Sequence, residues 1–107
     1  MATGTHEYVN DPRNAEILIN INGELYPRSE AKISVFDSGF ILGDGVWEGI
    51  RLHHGRLAFI DKHMQRLFDG AKALDLDIGL SKSSLTLRIE ETCAANGMED
   101  GGDIRLM

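Results

Sequence analysis

The stretch from Val35 to Arg66, VFDSGFILGDGVWEGIRLHHGRLAFIDKHMQR, decides how the rest of the chain is to be read. Gly39, Gly43 and Gly45 stand close to Asp37 and Asp44. That mixture lets the backbone take positive φ and approach a neighbour or ligand closely, so a shaped loop is expected. Trp47 to Leu52 reads as a strand, with Trp47, Gly49 and Arg51 on one face and Val46, Glu48 and Ile50 on the other. His54-Gly55 can turn it back into Arg56 to Ile60, because glycine supplies the dihedrals of a tight hairpin. A helix follows at once: Asp61 is placed to cap it, and Met64, Leu67, Phe68, Ala71 and Leu74 recur at the spacing of one buried face.

On the amino-terminal side, residues 1–16 are polar and without period, which predicts an arm that orders only when something holds it. Ile17 to Ile21 reads as a strand, and Asn22-Gly23 is a strong hairpin signal before Leu25-Tyr26. Ser29 to Ala31 form a short turn, after which Ile33 and Val35 alternate with Lys32 and Ser34 as in a half-buried strand. On the carboxy-terminal side, Ser81 caps a second helix, with Leu80 and Leu85 as a hydrophobic staple, Leu85, Ile89 and Cys93 as its stripe and Asn96-Gly97 as its stop. Met98 to Asp103 is a loop, and Ile104 to Met107 starts a strand that breaks off in mid-pattern, so the chain is expected to be the front part of a longer polypeptide. The expected fold is α+β: a mainly antiparallel sheet from the hairpins at Ile17 to Tyr26 and Trp47 to Ile60, with two helices packed on one face. Residues 17–107 form its single domain.

Composition narrows the function classes. The chain has 107 residues, 42% hydrophobic and 26% charged, as ordinary globular proteins do. A net charge of -6 argues against nucleic-acid or anionic-membrane surfaces, which need a basic face. The lone Cys93 has no disulfide partner, no apolar run is long enough to span a membrane, and the start lacks the pattern of a signal peptide, so a cytoplasmic location is expected.

Among side chains that could carry chemistry, Arg66 comes first: an arginine early in a helix offers a planar fork for a phosphate monoester and keeps its charge at any working pH. The histidines do not suggest a metal centre, because His53 and His54 are neighbours on an expected strand and should point to opposite faces. Asp37, Asp44 and Glu48 are read as turn carboxylates that bond nearby backbone amides. No Ser or Cys stands in a nucleophile elbow.

The residues FDSGFILGDGVWEGIR followed by HMQRLFDGAK resemble the amino-terminal small domain of the class IV pyridoxal-phosphate aminotransferases, a family that includes branched-chain and D-amino-acid aminotransferases. The most specific part is GDGVWEGIR followed in order by HxxRL. The resemblance implies pyridoxal 5'-phosphate as cofactor, with Arg66, in His63-Met64-Gln65-Arg66-Leu67, matching the arginine that contacts its phosphate. It also implies a substrate pocket walled by Trp47 and Gly49, with Arg51 at the family's basic position and Arg105 matching an arginine near the substrate carboxylate. Three positions depart from the branched-chain pattern: Leu42 stands where tyrosine is common, Trp47 is larger than the usual Phe or Tyr, and Asp103 replaces a tyrosine.

None of Lys32, Lys62, Lys72 or Lys82 lies in a segment like the one carrying the family's Schiff-base lysine, which belongs to a larger carboxy-terminal domain. The resemblance therefore implies that no catalytic residue lies in this chain, that the chain alone is inactive, and that the complete protein is a homodimer exchanging an amino group between an amino acid and a 2-oxo acid. An aminodeoxychorismate-lyase-like member and a non-catalytic truncated module that self-associates through the sheet edge after Ile104 are the alternatives.

Overall fold

The computed structural model describes residues 11–107, so most of the expected amino-terminal arm lies outside the described residues. The chain divides after Ala31 into two units.

In the first unit, Asp11 caps a 3-10 turn at Pro12–Asn14 by accepting from the Arg13 amide. Strand β1 (Leu18–Ile21) then pairs antiparallel with β2 (Glu24–Pro27). The two-residue turn falls at Asn22 and Gly23, with φ of 54° and 93°, as the Asn-Gly pair predicts. The side chain of Asn20 supports it by accepting from the Gly23 amide at 2.9 Å. A second 3-10 turn, Arg28–Glu30, closes the unit where a short turn is expected.

The second unit holds the core. The expected strand at Ile33 and Val35 does not form, and both side chains are exposed. Alternation alone supplies no pairing partner, and Ser34 turns the chain locally, its carbonyl accepting from the Asp37 amide and its hydroxyl from the Phe36 amide. The glycine-rich stretch contains a short helix, α1 (Ser38–Leu42), rather than loop alone. Asp37 caps it by accepting from the Gly39 amide, and Gly43 ends it with φ 74°.

Strand β3 (Glu48–His53) is the centre of a three-stranded antiparallel sheet, flanked by β4 (Arg56–Leu57) and β5 (Asp103–Leu106). The strands of the described residues thus make two sheets, not one: β3 pairs with β4 at Leu52 and His53 and with β5 from Glu48 to Arg51, and the first hairpin pairs only with itself. The return strand stops at Leu57 instead of reaching Ile60, since Phe59 takes a left-handed φ of 54° and starts the next helix. Helix α2 (Ile60–Ala73) consequently has Phe59 at its cap position, and Asp61, expected there, lies in the first turn, where its charge suits the positive end of the helix dipole.

Met64, Leu67 and Ala71 of α2 are buried and Phe68 is partly so, whereas Leu74 falls past the helix end and is exposed. Helix α3 (Lys82–Ala95) keeps its expected Ser81 cap, which accepts from the Ser84 amide, and buries Leu85, Ile89 and Cys93. These side chains meet Ile50 and Leu52 of β3 in one core, with both long helices on the same side of the strand. Gly70 lets α2 pass close to the segment entering β3: a Cβ there would lie 3.1 Å from Val46 Cγ1.

Candidate functional site

Period-two alternation sorts the candidate residues onto two faces of β3. Glu48, Ile50 and Leu52 are buried, while Gly49, Arg51 and His53 are exposed. Register places Arg105 of β5 opposite Gly49, and Asp103 opposite Arg51. Just before the strand, Trp47 is 60% exposed, and the Arg105 guanidinium carbon lies 4.9 Å from its ring centroid, within cation–π range. Gly49 keeps the floor beside Trp47 bare, since a Cβ there would sit at an ordinary 3.8 Å from the Trp47 ring. Arg51 Nη1 meets Asp103 Oδ1 at 3.2 Å, so one of the two arginines on this face is paired with a carboxylate. Trp47, Gly49, Arg51 and Arg105 are therefore brought together. Leu42 ends α1 with an exposed side chain and has no part in the core cluster that holds β3.

Arg66 belongs to the other face. It projects from α2 to the carboxylate of Glu48, with Nε donating to Oε1 and Nη2 to Oε2, each at 2.6 Å. His63 lies one turn earlier on the same helix face, its Nδ1 2.7 Å from Oε2. The bonds from Arg66 and then His63 hold the Glu48 carboxyl at a pKa of about 2, below its ordinary 4.5. Glu48 is thus ionised and can only accept, which makes His63 Nδ1 the donor. In return Glu48 raises the pKa of Arg66. Only 5% of the Glu48 side chain is exposed, against 16% for His63 and 72% for Arg66, so the pair straddles the surface with the anion inside and the cation outside.

Glu48 is therefore not a turn carboxylate, and neither it nor His63 stands among the residues the sequence singles out for a site. The available signals are weak: Glu48 shares its strand face with Ile50, and His63 and Arg66 are three apart on one helix. The partners are 15 and 18 residues from Glu48 in the chain, which no local pattern reveals.

The expectation that His53 and His54 diverge is also corrected. His54 lies in the turn with φ 48°, not on the strand, and the two rings meet edge to face with centroids 4.1 Å apart. Both approach Asp100, whose carboxylate accepts from the His54 amide at 2.8 Å and is held below its usual pKa by that bond. Two surface concavities, of about 620 and 550 Å³, are lined by residues between Ala15 and Ser29 and between Gln65 and Lys82, and neither lining includes Trp47, Gly49, Arg51, Arg66 or Arg105. Trp47, Gly49, Arg51, Arg66 and Arg105 are all exposed in the described structure.

An amino-transferase class IV family model matches residues 45–107, which contain β3, the Glu48–Arg66 pair and Arg105. The chain is 43% identical over 95 residues to branched-chain-amino-acid aminotransferase-like protein 1 of Arabidopsis thaliana, covering 89% of this chain and 17% of that protein. It is 35% identical over 82 residues to the D-alanine aminotransferase of Staphylococcus haemolyticus, covering 77% and 29%. Its fold matches the branched-chain amino acid aminotransferase of T.th. crystallised with N-(5'-phosphopyridoxyl)-L-glutamate, with a TM-score of 0.75, 31% identity and coverage of 84% of this chain and 31% of that one. The chain belongs to the class IV aminotransferase family, and it spans less than a third of the length of these relatives.

Proposed function

We propose that the chain supplies the small domain, residues 17–107, of a pyridoxal-phosphate-dependent aminotransferase that exchanges an amino group between an amino acid and a 2-oxo acid. The observation that carries this reading is the family match over residues 45–107, which takes in Trp47, Gly49, Arg51, Arg66 and Arg105 together. Arg66 is assigned to the cofactor phosphate, and its largely exposed guanidinium has the fixed charge and planar donors that suit a phosphate monoester. Trp47, Gly49, Arg51 and Arg105 are assigned to one wall of the substrate pocket, with Leu42 at its rim. When bound, the cofactor supplies the electron sink for chemistry at the substrate α-carbon. This chain binds and orients; the lysine that handles the proton comes from the remainder of a cytoplasmic homodimer. Branched-chain amino acids are the first substrates to test.

Two measurements examine this reading. The chain alone should show no turnover with any amino donor at saturating cofactor, since general acid–base placement by itself contributes about 10²- to 10⁴-fold and the lysine that performs it is not among these residues. Arg66 is the one phosphate contact assigned to this chain and it is largely exposed, so cofactor binding by the chain should be salt-sensitive and no tighter than about millimolar. A longer polypeptide carrying this domain should bind pyridoxal phosphate tightly and transaminate. Steady turnover by the chain alone, or tight cofactor binding untouched by Arg66→Ala, would place the active site elsewhere.

A further inference from the structure

We propose that Glu48 is a positioning residue: its carboxylate takes the Nε/Nη2 edge of the Arg66 guanidinium and so turns the Nη1/Nη2 edge outward to receive a phosphate, while His63 braces the carboxylate from a second side. The proposal rests on the reading of Arg66 as the phosphate ligand and adds how that ligand is held.

The geometry carries the argument. A guanidinium has five N–H groups. Two of those on Arg66 go to Glu48, and among the described residues no hydrogen bond takes the other three. The occupied edge is the one nearest the helix, so the free edge presents two parallel N–H groups, the arrangement that binds a phosphate through two oxygens. The carboxylate cannot swing away from this task. It springs from β3 where that strand pairs with β5, opposite Leu106 and on the same face as Ile50 and Leu52, and His63 Nδ1 holds Oε2 at 2.7 Å.

An exposed arginine without such a clamp would sample many rotamers and lose that freedom when a ligand bound; held in advance, it loses less. A lysine could not replace it, because a single ammonium cannot present two fixed edges to two different anions.

Charge and position make opposite predictions, which gives the test its sign. Glu48 is an anion close to the proposed phosphate site, so if charge alone mattered, Glu48→Gln would tighten phosphate binding. If the carboxylate positions the fork, the same change weakens it. The chain, Glu48→Gln, Glu48→Asp, His63→Gln, Arg66→Lys and Arg66→Ala would be titrated with pyridoxal phosphate and with inorganic phosphate by NMR, following the ³¹P signal of the ligand in every protein, the Arg66 Nε–H resonance where Arg66 is kept, and the methyl signals of Leu52 and Ile89 as a check on the fold.

Both ligands should move the Arg66 resonance in the native chain. Glu48→Gln should weaken binding about three- to tenfold, the size expected for ordering one long side chain on binding. Glu48→Asp and His63→Gln should weaken it less, and Arg66→Lys should bind no better than Arg66→Ala. Equal or tighter binding by Glu48→Gln, with Arg66→Ala still impaired, overturns the positioning role and leaves the phosphate reading intact. Binding by Arg66→Ala equal to that of the native chain removes the phosphate reading itself. Should Glu48→Gln fail to fold, Glu48→Asp and His63→Gln decide the matter: unchanged binding by both sinks the proposal.

Discussion

A carboxylate with 5% of its surface exposed is tolerable only if its charge is met, and Glu48 meets three donors from one helix face. This has a direct consequence for stability. The folded-state pKa is lowered from 4.5 to about 2, so folding is favoured wherever the unfolded chain's carboxyl would also be ionised, above about pH 4.5. That contribution is lost as pH falls from there through 2. Charge-assisted hydrogen bonds are worth about 1.5–3 kcal/mol, and solvent around the exposed Arg66 screens its share, so Glu48→Gln should cost about 1–2 kcal/mol at pH 7. Urea unfolding of the two proteins should show that difference at pH 7 and a shrinking one below pH 4. A gap that stays constant down to pH 2 would mean that the carboxylate's charge is not what the fold uses.

At the scale of elements, what the sequence made legible was whatever is set by neighbours along the chain. Asn22-Gly23 turned the first hairpin, Ser81 capped α3, and the alternation from Glu48 to Leu52 separated the two faces of β3, of which the structure buries the one with Glu48, Ile50 and Leu52. The same alternation put Trp47, Gly49 and Arg51 together, and the pairing of β5 with β3 then added Arg105. Failures came where a distant partner, or its lack, decided the outcome. Ile33 and Val35 had the right pattern but no strand among the described residues pairs with them, and the return strand was cut short by a left-handed aromatic residue that no propensity favours.

The stripe assigned to α2 was right through Ala71 and wrong at Leu74, because the helix ends one residue before it. Mutation would register that difference. Leu67→Ala should cost about 2–5 kcal/mol, whereas Leu74→Ala should stay within about 0.5 kcal/mol by the same denaturant measurement. Equal losses would mean that Leu74 is packed after all.

For the molecule as a whole, the core of the second unit is small and its surface is unusually apolar along one segment. Ile33, Val35, Phe36, Phe40, Ile41 and Leu42 are all more than half exposed, and so is Trp47 at the entry to β3. Single exposed apolar residues are ordinary, but so many in succession cost hydration free energy at about 25 cal/mol per Å² until something covers them. The chain spans less than a third of its relatives, and a second copy is the one cover always available to it in solution. Strand β5 adds a further incentive, since β3 occupies one of its edges and no strand among the described residues occupies the other. The isolated chain is therefore expected to self-associate with rising concentration. Sedimentation equilibrium should show this, and the double substitution Phe36→Ser, Phe40→Ser should shift the chain towards monomer without lowering its unfolding midpoint, because neither ring packs into the core. If the native chain sediments as a monomer at the highest concentrations reached, the apolar segment is not an association surface. If it associates but the double variant does so equally, the β5 edge becomes the contact to test, by Met107→Lys, whose side chain just past the end of that strand is exposed.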